Sequence, residues 1–265
     1  MRPLPKLVGV PYDASSSFLR GSAAAPPLIR TALRSPAGNN FTENGADLTE
    51  LADAGDLALS DAPAAARGAI QAGIEAVVSA GFRPIALGGD HSITYPIMRA
   101  VAARQPRITI LHIDAHGDLY DEFEGDRHSH ACPFARIMDE QLCGRLVQVG
   151  IRTLTPHQRE QIRRFNVDTI EMQQFAGGAR PTIAGAVYVS VDLDGIDPAF
   201  APGVSHREPG GLTVRDVLTL IQGLEGPIVG ADVVEFNPAQ DPGGVTAAVA
   251  AKITREIAGH MLLAR

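Results

Sequence analysis

The chain of 265 residues has a formal net charge of −7, with 45% apolar residues, 5% aromatic residues and 27 glycines. This length and apolar content predict one globular domain over residues 1–265 and exclude a disordered chain. The mild negative charge argues against non-specific nucleic-acid binding and is compatible with a small cationic substrate. No segment approaches the roughly 20 apolar residues that cross a bilayer, so we expect no membrane association.

Cysteine content and the N-terminal residues bear on the cellular compartment. Cys132 and Cys143 are the only cysteines, which is too few for a disulfide framework in a chain of this length. The first ten residues lack the apolar core of a secretory signal. Both observations lead us to expect a reducing, cytoplasmic location.

Apolar runs typical of strands alternate with helical patterns along most of the chain. The pattern predicts strands at 6–11, 84–87, 107–113, 146–149, 167–170, 186–191 and 228–234, and helices at 27–34, 62–80, 94–104, 133–140, 155–165, 213–224 and 245–263. Residues 35–48 are polar and resemble a turn region. Such alternation predicts a three-layer α/β/α fold, in which helices cover both faces of a mostly parallel sheet. The last helix, rich in alanine, suits either internal packing or a subunit contact.

Three groups of carboxylates and histidines begin where predicted strands end. The first follows the strand at 107–113, the second the strand at 84–87, and the third the strand at 186–191. Alternate residues of an extended chain point to the same side, and ligands of parallel α/β sheets bind beyond the carboxyl ends of the strands. We therefore expect one metal site, with candidate ligands His91, Asp114, His116, Asp118, Asp192 and Asp194.

The chemistry of this group favours two divalent cations. Four carboxylates at one locus repel each other unless about four positive charges offset them, and two divalent ions supply that charge. An oxygen-rich set with two imidazole nitrogens suits Mn²⁺ better than structural zinc. Two such ions lower the pKa of a bridging water from about 15.7 to near neutrality and so generate a nucleophile. Asp90 and Asp197 are expected to orient ligands, and a turn-forming role for Asp197 is equally open.

These motifs carry a family resemblance. Together with Gly9–Asp13 and Val234–Pro238, they resemble the arginase/agmatinase (ureohydrolase) family over nearly the whole chain. Ser129–Arg136 and Asp197–His206 are similar to the plant-type arginases of the agmatinase-like branch. The resemblance implies an arginase-like fold with two Mn²⁺ per chain. It also implies that metal-bound hydroxide converts a guanidino group to urea and an amine, in a homo-oligomer that is a trimer or hexamer.

The resemblance also assigns roles to individual residues. One ion would bind His91 and Asp118 and the other His116 and Asp194, with Asp114 and Asp192 shared. Glu235 would receive the substrate guanidinium, because a carboxylate accepts its paired N–H donors. His130 would shuttle the proton that the leaving amine needs, completing a catalytic set with Glu235 and Asp114. His128 lies in the same loop, and the residues alone do not choose between the two histidines.

The substrate tail is the least defined part of the prediction. The loop at 120–128 should border the pocket, where Asp121 would suit the ammonium of agmatine and Arg127 the carboxylate of arginine or a guanidino acid. The plant-type resemblance places arginine first, with agmatine and guanidino acids as alternatives. Formiminoglutamate hydrolysis, metal-dependent deacylation and a metal-binding regulator without turnover are further alternatives. We interpret His112 as a core residue and His206 as a surface or structural one.

Overall fold

Eight strands form one sheet in a computed structural model that describes residues 3–263. The strands are β1 (Leu4–Gly9), β2 (Ala52–Asp56), β3 (Phe82–Leu87), β4 (Thr109–Ile113), β5 (Arg145–Ile151), β6 (Asp168–Glu171), β7 (Val187–Asp192) and β8 (Ile228–Val234). Their order across the sheet is β2-β1-β3-β8-β7-β4-β5-β6, and every pairing is parallel. The central strands are apolar, β-branched and buried, as a sheet covered on both faces requires.

Helices cover both faces of this sheet. They are α1 (Ala25–Leu33), α2 (Pro63–Ser79), α3 (Thr94–Ala102), α4 (Pro133–Asp139), α5 (Pro156–Phe165), α6 (Met172–Ala176), α7 (Val214–Gln222) and α8 (Val245–Leu263). The apolar faces of α1, α7 and α8 share one core cluster with the sheet, and those of α2, α3 and α4 share the other. The predicted three-layer α/β/α fold is confirmed.

The register of the four central strands places their carboxyl ends side by side. Leu87 of β3 and Val191 of β7 both pair with Val233 of β8, and Ile113 of β4 pairs with Val191. Residues that directly follow these positions therefore emerge at one point on the sheet edge. This alignment brings the three sequence clusters together.

Two short elements depart from the prediction. Strand β2, with the sequence Ala-Asp-Ala-Gly-Asp, lacks apolar periodicity and lies at the sheet edge. Arg30 of α1 supports this strand through ion pairs with Asp53, at 2.8 Å, and with Asp56. Helix α6 spans only five residues, too few for a periodic signal.

Helix α8 packs internally along one face, as one of the two expected placements requires. Its residues Ile253, Ile257 and Met261 are buried in the same core cluster as α1 and α7. None of the helices between residues 3 and 263 combines the length and apolarity of a membrane span.

Candidate metal centre

A tight turn after β3 presents the first histidine. Gly88 and Gly89 have φ of 78° and 84°, a conformation that glycine adopts at no steric cost. The Asp90 carboxylate then accepts hydrogen bonds from the backbone N–H of Ser92 (3.1 Å) and of Ser15 (2.9 Å). Asp90 thus fixes the turn and the N-terminal loop, while His91 is directed into the sheet edge and fully buried.

The six candidate ligands converge. Nδ1 of His91 lies 3.2 Å from Asp114 Oδ2, 3.1 Å from Asp118 Oδ2 and 3.0 Å from Asp192 Oδ2. Nδ1 of His116 lies 3.2 Å from Asp194 Oδ2 and 3.5 Å from Asp114 Oδ1. Asp114 therefore contacts both histidines and occupies the middle of the group.

Hydrogen bonds fix the tautomer of His91. Its Nε2–H donates to Ser190 Oγ at 2.9 Å, and that hydroxyl donates to Asp232 Oδ1 at 2.6 Å. Thr94 and Tyr188 donate to the other oxygen of Asp232. Nδ1 of His91 is consequently turned toward the three carboxylates, and it has no hydrogen-bond partner within residues 3–263.

The carboxylates around His91 favour positive charge at this site. Burial by itself would lower the pKa of His91, but the carboxylates of Asp114, Asp118 and Asp192 beside its Nδ1 raise it well above its ordinary value. Burial and the neighbouring charges of Asp194 and Asp114 raise the pKa of the Asp192 carboxyl. One proton on Nδ1 serves a single carboxylate, whereas a divalent cation coordinates several oxygens and the nitrogen together. The donor set fits metal ions.

His112 is not available as a ligand. Its Nε2–H donates to Asp114 Oδ2 at 2.7 Å, and its Nδ1 accepts from Gln148 Nε2 at 3.1 Å. Both ring nitrogens are therefore engaged, in agreement with the core role expected from the sequence. The imidazole instead orients the Asp114 carboxylate.

Glu235 and His130 face the cluster from the ends of β8 and the loop before α4. Glu235 Oε1 accepts from the His91 N–H and from His130 Nδ1, both at 2.9 Å, while His130 Nε2 lies 2.8 Å from Ser17 Oγ. Although burial lowers the pKa of His130, the Glu235 carboxylate outweighs it and raises that pKa to about 9. Two residues here, Glu235 (φ 62°) and Asp118 (φ 47°), adopt left-handed backbone conformations that are rare outside glycine.

His128 lies apart from this group. Its ring stacks on Tyr95, with centroids 5.6 Å apart, and it is not among the residues that line the cavity over the ligands. The geometry therefore separates the two histidines that the sequence left open, since only His130 faces the cluster.

A cavity of about 240 Å³ opens over the ligands. Its lining comprises Ser17, His116, Asp118, Tyr120, Phe123, His130, Ala131, Thr153, Thr155, Gln158, Asp192, Asp194, His206 and Glu235. His206 was expected to be structural, but its ring lies 5.2 Å from that of His130 and 6.0 Å from that of His116. Its position in the segment that follows the Asp192–Asp194 cluster was the available signal.

The two residues predicted to hold the substrate tail lie elsewhere. Asp121 Oδ1 is 3.1 Å from Arg136 Nη2 and 3.4 Å from Arg164 Nη1, and Arg127 is 3.8 Å from Asp139. Neither Asp121 nor Arg127 lines the cavity, because each finds an ion-pair partner on the surrounding helices. Tyr120 and Phe123 of the same loop line it instead.

Asp197 is a turn-forming residue. Its two carboxylate oxygens accept from the backbone N–H groups of Ala199 (2.9 Å), Gly210 (2.7 Å) and Gly211 (3.1 Å). These bonds lower its pKa. Of the two roles left open by the sequence, the structure supports the turn.

The comparisons with known proteins agree with this geometry. The sequence model of the arginase family matches residues 5–259. The chain belongs to the arginase family. It is 46% identical to mitochondrial arginase 1 of Arabidopsis thaliana, covering 96% of this chain and 80% of that protein, and 45% identical to the mitochondrial arginase of Medicago truncatula, covering 96% and 81%.

Structural similarity extends over the same length. The solved arginase of Medicago truncatula superposes with a TM-score of 0.93 at 44% identity, covering 98% of this chain and 87% of that one. A more distant relative, the human mitochondrial guanidino acid hydrolase, is 36% identical over 94% of this chain and 76% of its own length. This arginase-family chain is accordingly a ureohydrolase, and its clustered histidine and aspartate side chains could hold a metal ion.

The expectation of a cytoplasmic location is wrong. The Arabidopsis and Medicago relatives are both named as mitochondrial proteins. The expectation rested on a low cysteine count and on the N-terminal residues. A low cysteine count excludes a disulfide framework, and several compartments share that property.

Proposed function

We propose that this protein hydrolyses the guanidino group of L-arginine to give urea and ornithine, using two Mn²⁺ ions. The observation that carries the proposal is the unpartnered, buried Nδ1 of His91 facing three carboxylates. Beside it, Glu235 and His130 line the same cavity. The plant relatives from Medicago and Arabidopsis are arginases by name, which favours arginine as the substrate.

Six side chains would hold the two ions. One ion would bind His91 and Asp118, the other His116 and Asp194, and Asp114 and Asp192 would be shared. When bound, the ions would supply hydroxide near neutral pH by lowering the pKa of a water molecule from about 15.7. The four carboxylates balance the charge of two divalent cations, and His112 keeps Asp114 oriented between them.

Glu235 would bind the guanidinium. Its carboxylate is 3% exposed, lies on the cavity wall, and already accepts hydrogen bonds from His130 and the His91 backbone. A buried carboxylate requires positive partners, and a planar guanidinium offers paired N–H donors on one edge. Glu235 therefore orients the group with its carbon toward the ligand cluster.

His130 would supply the proton that the leaving amine takes. Hydrogen bonds to Glu235 and Ser17 fix both ring nitrogens at the cavity wall. Because the nearby carboxylate raises its pKa to about 9, the imidazole is protonated near neutral pH. Proton donation to the amine lets the carbon–nitrogen bond break.

The outer cavity supports an amino-acid tail. Tyr120, Thr153, Thr155 and Gln158 offer neutral hydroxyl and amide groups, which both donate and accept hydrogen bonds. A zwitterionic head needs both kinds of partner. Agmatine and guanidino acids are the alternatives, the latter supported by the name of the human relative.

A substrate panel tests the proposal. Purified protein is incubated with Mn²⁺, and urea release from arginine, agmatine and guanidinobutyrate is measured with bound metal per chain. We expect two Mn²⁺ per chain and the largest kcat/KM for arginine. A larger kcat/KM for agmatine or guanidinobutyrate would make that compound, and not arginine, the proposed substrate. If the protein binds metal but releases urea from none of the three compounds, a regulator without turnover would be favoured.

We also propose that residues 1–265 form a single domain and that the chain assembles into a homo-oligomeric trimer or hexamer. The single sheet with one core cluster on either face supports the first statement. The family resemblance supports the second. Sedimentation equilibrium of the full chain measures the assembly, and a monomer would refute that proposal.

A further inference from the structure

Arg152, the residue directly after β5, makes an unusual set of hydrogen bonds. All five N–H groups of its guanidinium donate to backbone carbonyl oxygens. Nε donates to Glu208 (3.0 Å), Nη1 to Gly150 and Gly195 (both 3.0 Å), and Nη2 to Asp194 (2.6 Å) and Glu208 (2.7 Å). Its donor capacity is thus filled without a carboxylate oxygen.

These carbonyls belong to segments that build the proposed site. Asp194 is a proposed ligand, and Gly195 follows it. The backbone N–H of Arg152 also donates to the carbonyl of Ala115, at 2.9 Å, between the ligands Asp114 and His116. One residue therefore ties the two ligand segments to the end of β5.

The same guanidinium also holds the segment 205–211, which carries His206 to the cavity. Two of its bonds end on Glu208, two residues beyond His206. Gly211 gives the group its space, because a Cβ at that position would lie 2.7 Å from Arg152 Nη2 and 2.8 Å from its Cζ. Those distances are shorter than any van der Waals contact.

Arg159 provides a comparison, because its guanidinium pairs with a carboxylate on the protein surface. Arg159 on α5 contacts the Glu171 carboxylate through both terminal nitrogens, at 2.9 and 3.1 Å, on the protein surface. Arg152 is instead half-buried, and across residues 3–263 it makes no ion pair within 4.0 Å. A planar guanidinium suits this role, since its rigid fork of donors reaches several carbonyls at once.

We propose that Arg152 is a positioning residue that fixes the backbone of Asp194 and the segment 205–211. It thereby holds the Asp194 carboxylate against His116 and holds His206 at the cavity wall. This inference rests on the proposed function of the metal centre. It predicts that loss of the guanidinium affects the ion bound by His116 and Asp194 more than the ion bound by His91 and Asp118.

The test compares Arg152→Met and Arg152→Lys with the control Arg159→Met. Affinities for the two Mn²⁺ equivalents are measured by electron paramagnetic resonance, and kcat and KM are measured with arginine. We expect Arg152→Met to weaken one equivalent by about 10–100-fold, the range for residues that orient metal ligands, while the other changes less. KM should rise as His206 is released, and Arg152→Lys should recover part of both effects.

Gly211→Ala places a methyl group against the Arg152 guanidinium and keeps the arginine, and the same methyl group also meets the backbone N of Asp197 at 2.8 Å. It decides the question if Arg152→Met fails to fold, and we expect it to weaken the same single equivalent. Equal weakening of both equivalents in step with a lower unfolding temperature would show a purely structural role. Wild-type affinities and KM in Arg152→Met would also overturn the inference.

Amide hydrogen exchange on the metal-free protein separates this inference from the proposed function. Leu212 N–H donates to the Gly195 carbonyl and Asp197 N–H to the Leu212 carbonyl, so both amides report on the held segment. We expect faster exchange at both in Arg152→Met than in Arg159→Met, whether or not the wild type releases urea. Unchanged exchange overturns the positioning role, whereas a wild type that binds no Mn²⁺ refutes only the proposed function.

Discussion

The ends of the central strands and the loop at 120–128 hold their charged residues in opposite ways. At the strand ends, Asp114 and Asp192 are buried, and the sheet register fixes where their backbones emerge. In the loop, Asp121 is only half-buried, and its carboxylate forms ion pairs with the nearby Arg136 and Arg164. Charge in a sequence therefore predicts a site when the sheet fixes the backbone, and predicts little when a surface loop carries it.

The largest effect should come from Asp114, which touches both histidines of the cluster. In Asp114→Asn a neutral amide replaces the shared carboxylate, so we expect urea release to fall to background and bound metal to fall to one ion per chain or none. Metal analysis and the urea assay measure both. Asp168→Asn, on an exposed edge strand, is the matched control, and full turnover with two ions in Asp114→Asn would refute the shared role.

A smaller loss should follow from Asp232, which supports His91 through Ser190. Asp232→Asn removes the acceptor that fixes the Ser190 hydroxyl, and we expect metal affinity to fall by about 10–100-fold. Titration with Mn²⁺ measures this change. Tyr188→Phe is the control, because Tyr188 donates to the other oxygen of Asp232 and leaves the Ser190 contact in place. Equal affinities in the two variants would contradict the relay.

Glu235 should control the protonation of His130. A positive imidazolium is stabilised by the adjacent carboxylate, so Glu235→Gln should lower the pKa of His130 from about 9 toward its ordinary value of 6.5. Protonation of His130 near pH 8 is then lost in the variant and retained in the parent. Nuclear magnetic resonance titration of the metal-free protein follows the ring, with Glu122→Gln as the control. A pKa unchanged by Glu235→Gln would show that the contact carries no charge effect.

The smallest effects should come from the loop. Asp121→Asn and Arg127→Ala alter surface ion pairs outside the cavity, and such changes fall within about 0.5 kcal/mol in stability. We expect KM for arginine within about twofold of the parent in both. A tenfold rise in KM for either variant would show that the residue contacts the substrate, and it would contradict the difference between the loop and the strand ends.

The sequence was sufficient for what the sheet itself determines. Each candidate ligand follows an apolar strand, and parallel pairing brings such positions to one edge, so their convergence could be predicted. The partners that orient them could not be predicted in the same way. Asp232 lies inside the apolar strand β8 and Arg152 begins a loop, and only the three-dimensional pairing shows what each one contacts.

The cavity position of His206 and the existence of strand β2 were not predicted from the sequence, for a related reason. His206 reaches the cavity because Arg152 and Asp197 fold the segment after the cluster back toward it. Strand β2 is maintained by ion pairs with Arg30, which its own composition does not reveal. Both features depend on polar contacts between residues far apart in the sequence, and the periodicity of one strand or helix does not reveal such contacts.

The left-handed backbone conformations of Asp118 and Glu235 lower the stability of the fold at two residues of the proposed site. An L-residue in this region costs roughly 1–2 kcal/mol relative to glycine, and the surrounding fold must offset that cost at two positions of the same cavity wall. A sequence selected for thermal resistance alone would place glycine or asparagine there. Acids stand at both positions instead, as the proposed roles of Asp118 in metal binding and of Glu235 in guanidinium binding require.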